Sequence, residues 1–336
     1  MKQIFKTGTA VLSDKHRNNL IDAIKAVSIF FIIFTHYSFD IKQRALMFFP
    51  FWVDQAVPIF MIISGYLYAS SFSKMEVLYT TKNIVRNLVR FIFPFIFIYL
   101  IYVYLFSWGW NAVILFFKGG VGPGSYYFPV MLQFVFIYPL IFWVVKKYSL
   151  WGVFFILYFN FLFEIFCEYS YFPRSIFRLL VFRYIFVISL GAYMYLYGKN
   201  IKIKYLVVSL LLGLCYLYMV NYTKITLNFI NDGWKNTNYL SAFYIFPIIY
   251  VLLKVYPKNV KKIWFNIIGK ASYNIYLIQM LYYKIYVQHI YYVVENKYYQ
   301  ILINLILCSV LGVLFYVVEV RLKRGINIFI SLVKKR

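Results

Sequence analysis

The residues with the strongest chemical character near the start of the chain are Asp22, Lys25 and His36, set in the otherwise apolar run DAIKAVSIFFIIFTH. On a helix, the eleven positions from Lys25 to His36 turn through about 1100°, so the two side chains share one face, about 16 Å apart along the axis. Asp22, three residues before Lys25, lies on the same face. Charged groups and an imidazole along an apolar helix are costly in lipid unless they face a protein interior or a watered cavity, so the stripe is a candidate functional site. Histidine can accept and return a proton near neutral pH, and a neutral imidazole can also attack a thioester as nucleophile. Lys25 is better suited to holding an anion or orienting a donor. The plainer alternative for this pair is a hydrogen-bonded interfacial histidine and a snorkelling lysine.

Three other groups carry potential chemistry. Ser64, Gly65 and Tyr66 fall in the middle of VPIFMIISGYLYASS, where glycine permits close backbone approach and the other two supply hydroxyls; helix packing is the alternative use. Arg86 and Arg90, four apart, stand one helical turn from each other at the start of an aromatic run. They are either anchoring charges or a clamp for phosphates. Arg178 and Arg183 either line an acceptor site or pair with Glu164.

The elements that must position these residues are membrane helices. A chain of 336 residues that is 63% hydrophobic and 13% charged cannot bury its apolar surface in one soluble core, and apolar runs recur throughout. The expected fold class is all-α, a polytopic transmembrane bundle of about ten spans with both termini cytoplasmic. The spans fall at about 20–39, 51–71, 91–108, 127–145, 150–167, 177–197, 205–222, 239–255, 263–287 and 299–320. Residues 1–19 form a cytoplasmic N-terminal segment, 20–320 the transmembrane domain, and 321–336 a basic, amphipathic cytoplasmic tail suited to lie along the membrane surface. With that topology, 22 Lys and Arg fall on cytoplasmic segments and 7 on outer ones, as the positive-inside rule requires. The net charge of +25 is thereby assigned to topology rather than to nucleic-acid binding, which needs basic residues gathered on one folded surface. The stretch NAVILFFKGGVGPGSYY reads as a structured re-entrant or loop segment. Cys167, Cys215 and Cys308 are isolated, with no metal or disulfide spacing. The N-terminus lacks signal-peptide architecture, so the first span serves as its own insertion signal.

The order Asp22-Ala-Ile-Lys25, ten residues, His36, then Ser64-Gly65-Tyr66, then Arg86-xxx-Arg90, resembles the integral-membrane acyltransferase 3 family. GPGSYYFPVMLQFVFIYPLI and IGKASYNIYLIQM are similar to its middle and late blocks, so the resemblance runs from about 20 to 320. It implies transfer of an acyl group, usually acetyl from cytoplasmic acetyl-CoA as co-substrate, to a hydroxyl or amine of an envelope or exported glycan. It makes His36 the catalytic histidine, as base or transient acyl carrier, with Lys25 its basic partner and Asp22 beside it. Ser64 and Tyr66 join the catalytic set as candidate stabilisers of the thioester oxyanion. Gly65, Arg86 and Arg90 fall to the donor and Gln279 to the acceptor, where Arg178 and Arg183, near the outer end of span six, are candidates by position rather than by the resemblance. Gln279 stands where the late block commonly has histidine. The expected partners are a glycan acceptor and membrane lipids, with neither metal nor nucleic acid, in a bacterial inner membrane. The alternative from another class is a glycan or lipid-linked translocator, which predicts paired half-repeats that this sequence does not show.

Overall fold

The computed structural model describes residues 19–37, 39–75, 80–106, 110–223, 225, 227–230, 232–255 and 265–333. The expected cytoplasmic segment 1–18 and the basic clusters at 258–262 and 334–336 lie outside the described residues. The described residues form fourteen α-helices: α1 (Asn19–Thr35), α2 (Ile41–Leu46), α3 (Ala56–Phe72), α4 (Thr81–Phe106), α5 (Trp110–Phe117), α6 (Tyr127–Tyr169), α7 (Arg174–Phe177), α8 (Ile185–Tyr197), α9 (Ile203–Tyr222), α10 (Ala242–Val255), α11 (Phe265–Lys270), α12 (Ser272–Ile285), α13 (Val287–Val293) and α14 (Lys297–Val333). No strand occurs among them, as the hydrocarbon interior demands of a chain that must satisfy its backbone polar groups within each segment.

Six helical stretches are long and apolar enough to cross a membrane, the protein being an integral membrane protein. One of them, α6, has 43 residues. At 1.5 Å per residue that is about 64 Å, twice the hydrocarbon thickness. It breaks at Ser149, with φ 53° and ψ −126°, immediately beyond Lys146, Lys147 and Tyr148, so two helices meet beside the lysine pair. At the other end of the chain, the expected tail is no separate element as far as Val333: residues 321–333 continue α14.

The chain divides into two compact units. The first comprises Met1–His36, Tyr79–Val135 and Lys258–Arg336. In it α1 packs against α11 so closely that a Cβ on Gly269 would lie 1.9 Å from the Asp22 carbonyl oxygen. α12 is held along α14 by three contacts in antiparallel order. Asn274 Nδ2 donates to Glu319 at 2.6 Å, Gly312 meets Ile275, and Tyr282 Oη donates to Asn304 Oδ1 at 2.5 Å. Lys323 also donates to Glu319, so this buried carboxylate is both paired and hydrogen-bonded.

The second unit comprises Tyr37–Leu78 and Phe136–Pro257. Here α3 and α8 cross at Gly65 and Gly191: added Cβ atoms would fall 2.2 Å from the Ile188 oxygen and 2.0 Å from the Ile62 oxygen. Small residues thus allow the backbones to touch, the usual basis of helix association in lipid. Near the loop before α10, Asp54 accepts from Arg44 and from Asn236, each at 2.8 Å.

One expectation about element boundaries is corrected. Arg178 was expected inside the span that begins near Phe177, but it lies in a turn before it; Arg183 does fall in the apolar stretch Val181–Asn200, in a 3-10 segment at Val181–Tyr184 ahead of the regular helix that starts at Ile185. The reason is the needs of Arg183. Its guanidinium, 1% exposed, lies 4.0 Å from the Trp234 ring centroid and 4.5 Å from that of Tyr184, and donates to Thr237 Oγ1 at 3.3 Å. A buried cation with these partners belongs to the packing of the loop rather than to a lipid-facing helix.

Candidate functional site

In the first unit, His36 stands one residue beyond the end of α1 and is half-buried. The last carbonyls of any helix lack intrahelical donors. Here Tyr283 of α12 supplies one, its hydroxyl donating to the Ile33 oxygen at 2.9 Å. The same ring meets the His36 imidazole edge-on, centroids 6.1 Å apart. Tyr283 is in turn fixed by Asn304 of α14, whose Nδ2 lies 3.4 Å from its hydroxyl and 3.1 Å from that of Tyr291. Carbonyl, tyrosine and asparagine thereby tie the histidine end of α1 to two other helices.

The opposite wall comes from the glycine-rich stretch. α5 ends in a Schellman motif, Gly120 N–H donating to Leu115 and Gly119 N–H to Phe116, with Gly119 at φ 78°. Gly122 to Ser125 then form a β-turn closed by Ser125 N–H to the Gly122 oxygen, 3.4 Å. Proline at its second position and Gly124 at φ 86° at its third are the type II signature, which an L side chain at the third position resists. Gly124 is the residue that faces the histidine. A Cβ there would lie 3.5 Å from His36 Nε2 and 3.3 Å from the Tyr276 ring. Tyr276 Oη donates to the Gly124 oxygen at 2.7 Å, pinning the turn to α12.

Tyr276, Gln279 and Tyr283 are spaced i, i+3, i+7 and fall within about 60° of one another around α12, with Gln279 on the flank of this face nearer Ile275 and Tyr282, which meet α14. Gln279 is fully buried, and among the described residues neither its Nε2 nor its Oε1 has a hydrogen-bond partner.

The remaining expected residues are distributed as follows. Asp22 is buried and Lys25 half-buried in the first two turns of α1. Arg86 is half-buried and Arg90 exposed in the first three turns of α4, Arg90 lying 5.9 Å from the Phe91 ring centroid. α12 is fastened to this end of α4 by Tyr273 Oη, which donates to the Phe91 oxygen at 3.1 Å. Ser64, Gly65, Tyr66, Arg178 and Arg183 belong to the second unit. There Gly65 mediates the α3–α8 crossing, its carbonyl accepting from Tyr138 at 2.7 Å, and Tyr66 meets Tyr195 edge-on at 5.3 Å. Glu164 is buried and feels the charge of Arg183. No group of three or more metal-ligating side chains gathers among the described residues.

Sequence reasoning missed Gly124, Tyr276, Tyr283 and Asn304. Only Gly124 carried a local signal, the Gly-Pro-Gly-Ser turn.

Comparison with curated proteins gave no match, and comparison with solved structures gave none. The family comparison did: a model described as an acyltransferase domain matches residues 18–320, a span that contains His36, the glycine turn and α12. The chain therefore belongs to the acyltransferase 3 family and is a membrane acyltransferase.

Proposed function

We propose that the protein transfers an acetyl group from cytoplasmic acetyl-CoA to a hydroxyl of a cell-surface or exported glycan, with His36 at the reacting centre, in a bacterial inner membrane crossed about ten times with both termini inside. The observation that carries this reading is the surroundings of His36 in a chain of acyltransferase family. Its Nε2 faces a position where glycine has left no side chain, its ring is braced by Tyr283, and an unmatched buried amide lies on the neighbouring helix face.

As base, His36 Nε2 takes the proton of the acceptor hydroxyl while that oxygen attacks the thioester carbonyl carbon. The C–S bond breaks, the thiolate of CoA recovers the proton from the imidazolium, and the ester is released. As acyl carrier, the same nitrogen attacks first and is acylated, and the acceptor oxygen then displaces it. Both routes use one lone pair. They differ in whether labelled acetyl stays on the protein before acceptor is added.

Arg86 and Arg90, with Lys25 nearer the start of α1, are assigned to the phosphates and orientation of the donor, since guanidinium binds phosphate oxygens bidentately. Asp22 supports Lys25. Ser64 and Tyr66 are assigned to oxyanion stabilisation and Gly65 to donor approach, roles that rest on the family motif. Arg178 and Arg183 are assigned to the acceptor side from their place near the outer end of the expected sixth span. The test is the acetyl content of the surface polysaccharide in cells carrying His36→Ala at unchanged protein level. Acetylation is expected to be lost; retained acetylation would refute the assignment.

A further inference from the structure

The structure holds a polar group with no structural use. Gln279 has no solvent exposure, and both amide atoms lack partners among the described residues. A buried amide without hydrogen bonds costs a folded protein free energy, so native structures rarely keep one without a reason. It is not a side chain stranded in a loosely built region. α12 is fixed on α14 by Asn274 to Glu319, by Gly312 against Ile275 and by Tyr282 to Asn304, so the rotational setting of the helix is held at both ends. That setting places Gln279 within about 60° of Tyr276, which holds the Gly124 turn, and of Tyr283, whose ring meets His36.

A second observation points to the same spot. Gly124 lies at φ 86°, and the position a Cβ would take is 3.5 Å from His36 Nε2 and 3.3 Å from the Tyr276 ring. A side chain on this residue would stand against the imidazole nitrogen, where a reacting carbon must come. The glycine turn and the unmatched amide belong to one unit and are joined by α12, whose Tyr276 holds the turn and whose Tyr283 meets the imidazole.

We propose that Gln279 is the oxyanion-binding residue of the acyl site: its Nε2–H donates to the carbonyl oxygen of the short acyl thioester seated before His36 beside Gly124, and its Oε1 accepts from an N–H or O–H of the substrate. This rests on the acyl-transfer reading above and names the group that holds the acyl carbonyl in place of Ser64 and Tyr66, to which the family motif alone assigned it; a backbone amide near Gly65 is no alternative. Gly65 N–H lies inside α3 and is committed to that helix's own ladder. As the acceptor oxygen adds to the carbonyl carbon, the C=O electron pair moves onto the oxygen that Gln279 holds. It returns to re-form C=O as the C–S bond breaks, and the hydroxyl proton passes through His36 to the leaving thiolate. A donor aimed at that oxygen strengthens its bond as charge develops, so it lowers the barrier more than it aids binding.

The experiment compares wild type with Gln279→Met, Gln279→Glu and Gln279→His, full-length in lipid nanodiscs. It uses acetyl-CoA as donor, thiol release and polysaccharide acetylation as activity readouts, and substrate-free melting temperature as an independent one. Gln279→Met keeps the volume and removes the unmatched amide. Its kcat/KM is expected to fall about 100-fold, mainly through kcat, with melting temperature unchanged or raised. Gln279→Glu, whose carboxylate repels the oxyanion, is expected to fall at least as far. Gln279→His restores one N–H and is expected to regain about tenfold over Gln279→Met. Unchanged turnover in Gln279→Met overturns the proposal. A lowered melting temperature in that variant overturns it too, because the amide would then be a structural partner. If wild type neither acetylates polysaccharide nor releases thiol, the acyl-transfer reading itself fails. The melting arm needs no substrate and still reports whether the amide is unmatched.

Discussion

At the scale of single residues, the account turns on how a histidine at a helix end is kept in one orientation. The imidazole follows α1 by one residue, where backbone carbonyls need donors from elsewhere. Tyr283 meets that need with its hydroxyl and uses its ring edge against His36. Tyr283→Phe keeps the ring and removes the hydroxyl, leaving the Ile33 carbonyl without this donor. It should lower stability by about 1–3 kcal/mol, read by thermal or denaturant unfolding. Because the hydroxyl that anchors the ring against the imidazole is lost, kcat should fall while the KM for the acyl donor holds; unchanged kcat would mean that the tyrosine serves the fold alone. His36 was legible as a candidate from its place after an apolar run that carries Lys25, but α1 ends at Thr35, one residue short of the shared helix face that the spacing predicted. Its neighbours were not. Gly124 is nearly ninety positions away and Tyr276 and Tyr283 are further still, and in a chain with 36 tyrosines two of them carry no contrast. Gln279 was visible as a polar residue in an apolar block, but that its amide is fully buried and unmatched is a fact of packing.

At the scale of elements, glycine sets how near the helices come. Gly269 brings α11 onto the backbone of Asp22, at the turn of α1 that also carries Lys25. The contact is with a carbonyl oxygen rather than a flexible side chain, so no rotamer change relieves it. Gly269→Ala should therefore cost about 1–3 kcal/mol through displacement of α11, measured as loss of melting temperature. A neutral result would show that the two helices have slack. The break of α6 shows how a boundary is read from sequence. Lys146 and Lys147 announced it, whereas the left-handed backbone falls on Ser149, a residue type that gives no such signal. The lead-in before α8 was legible only as two arginines in an apolar run, because the partners of Arg183, Trp234 and Thr237, come from a loop some fifty residues on. The aromatic and hydrogen-bond demands of one guanidinium outweigh the helical tendency of the apolar residues around it.

At the scale of the whole molecule, composition alone announced an all-helical membrane protein, because a chain with this much apolar surface and this little charge has few other folds open to it. The family match across residues 18–320 adds acyl transfer. Under the proposed reading, an acyl donor confined to the cytoplasm and a glycan acceptor outside it would be joined by a reaction carried out within a membrane protein. The most direct measurement uses sealed inside-out vesicles, with labelled acetyl-CoA supplied to the exposed cytoplasmic face and the glycan enclosed within. The account predicts that label reaches the enclosed glycan with the wild-type protein and falls to background with His36→Ala at equal protein content and equal melting temperature. Label crossing equally well in the His36→Ala vesicles would contradict it.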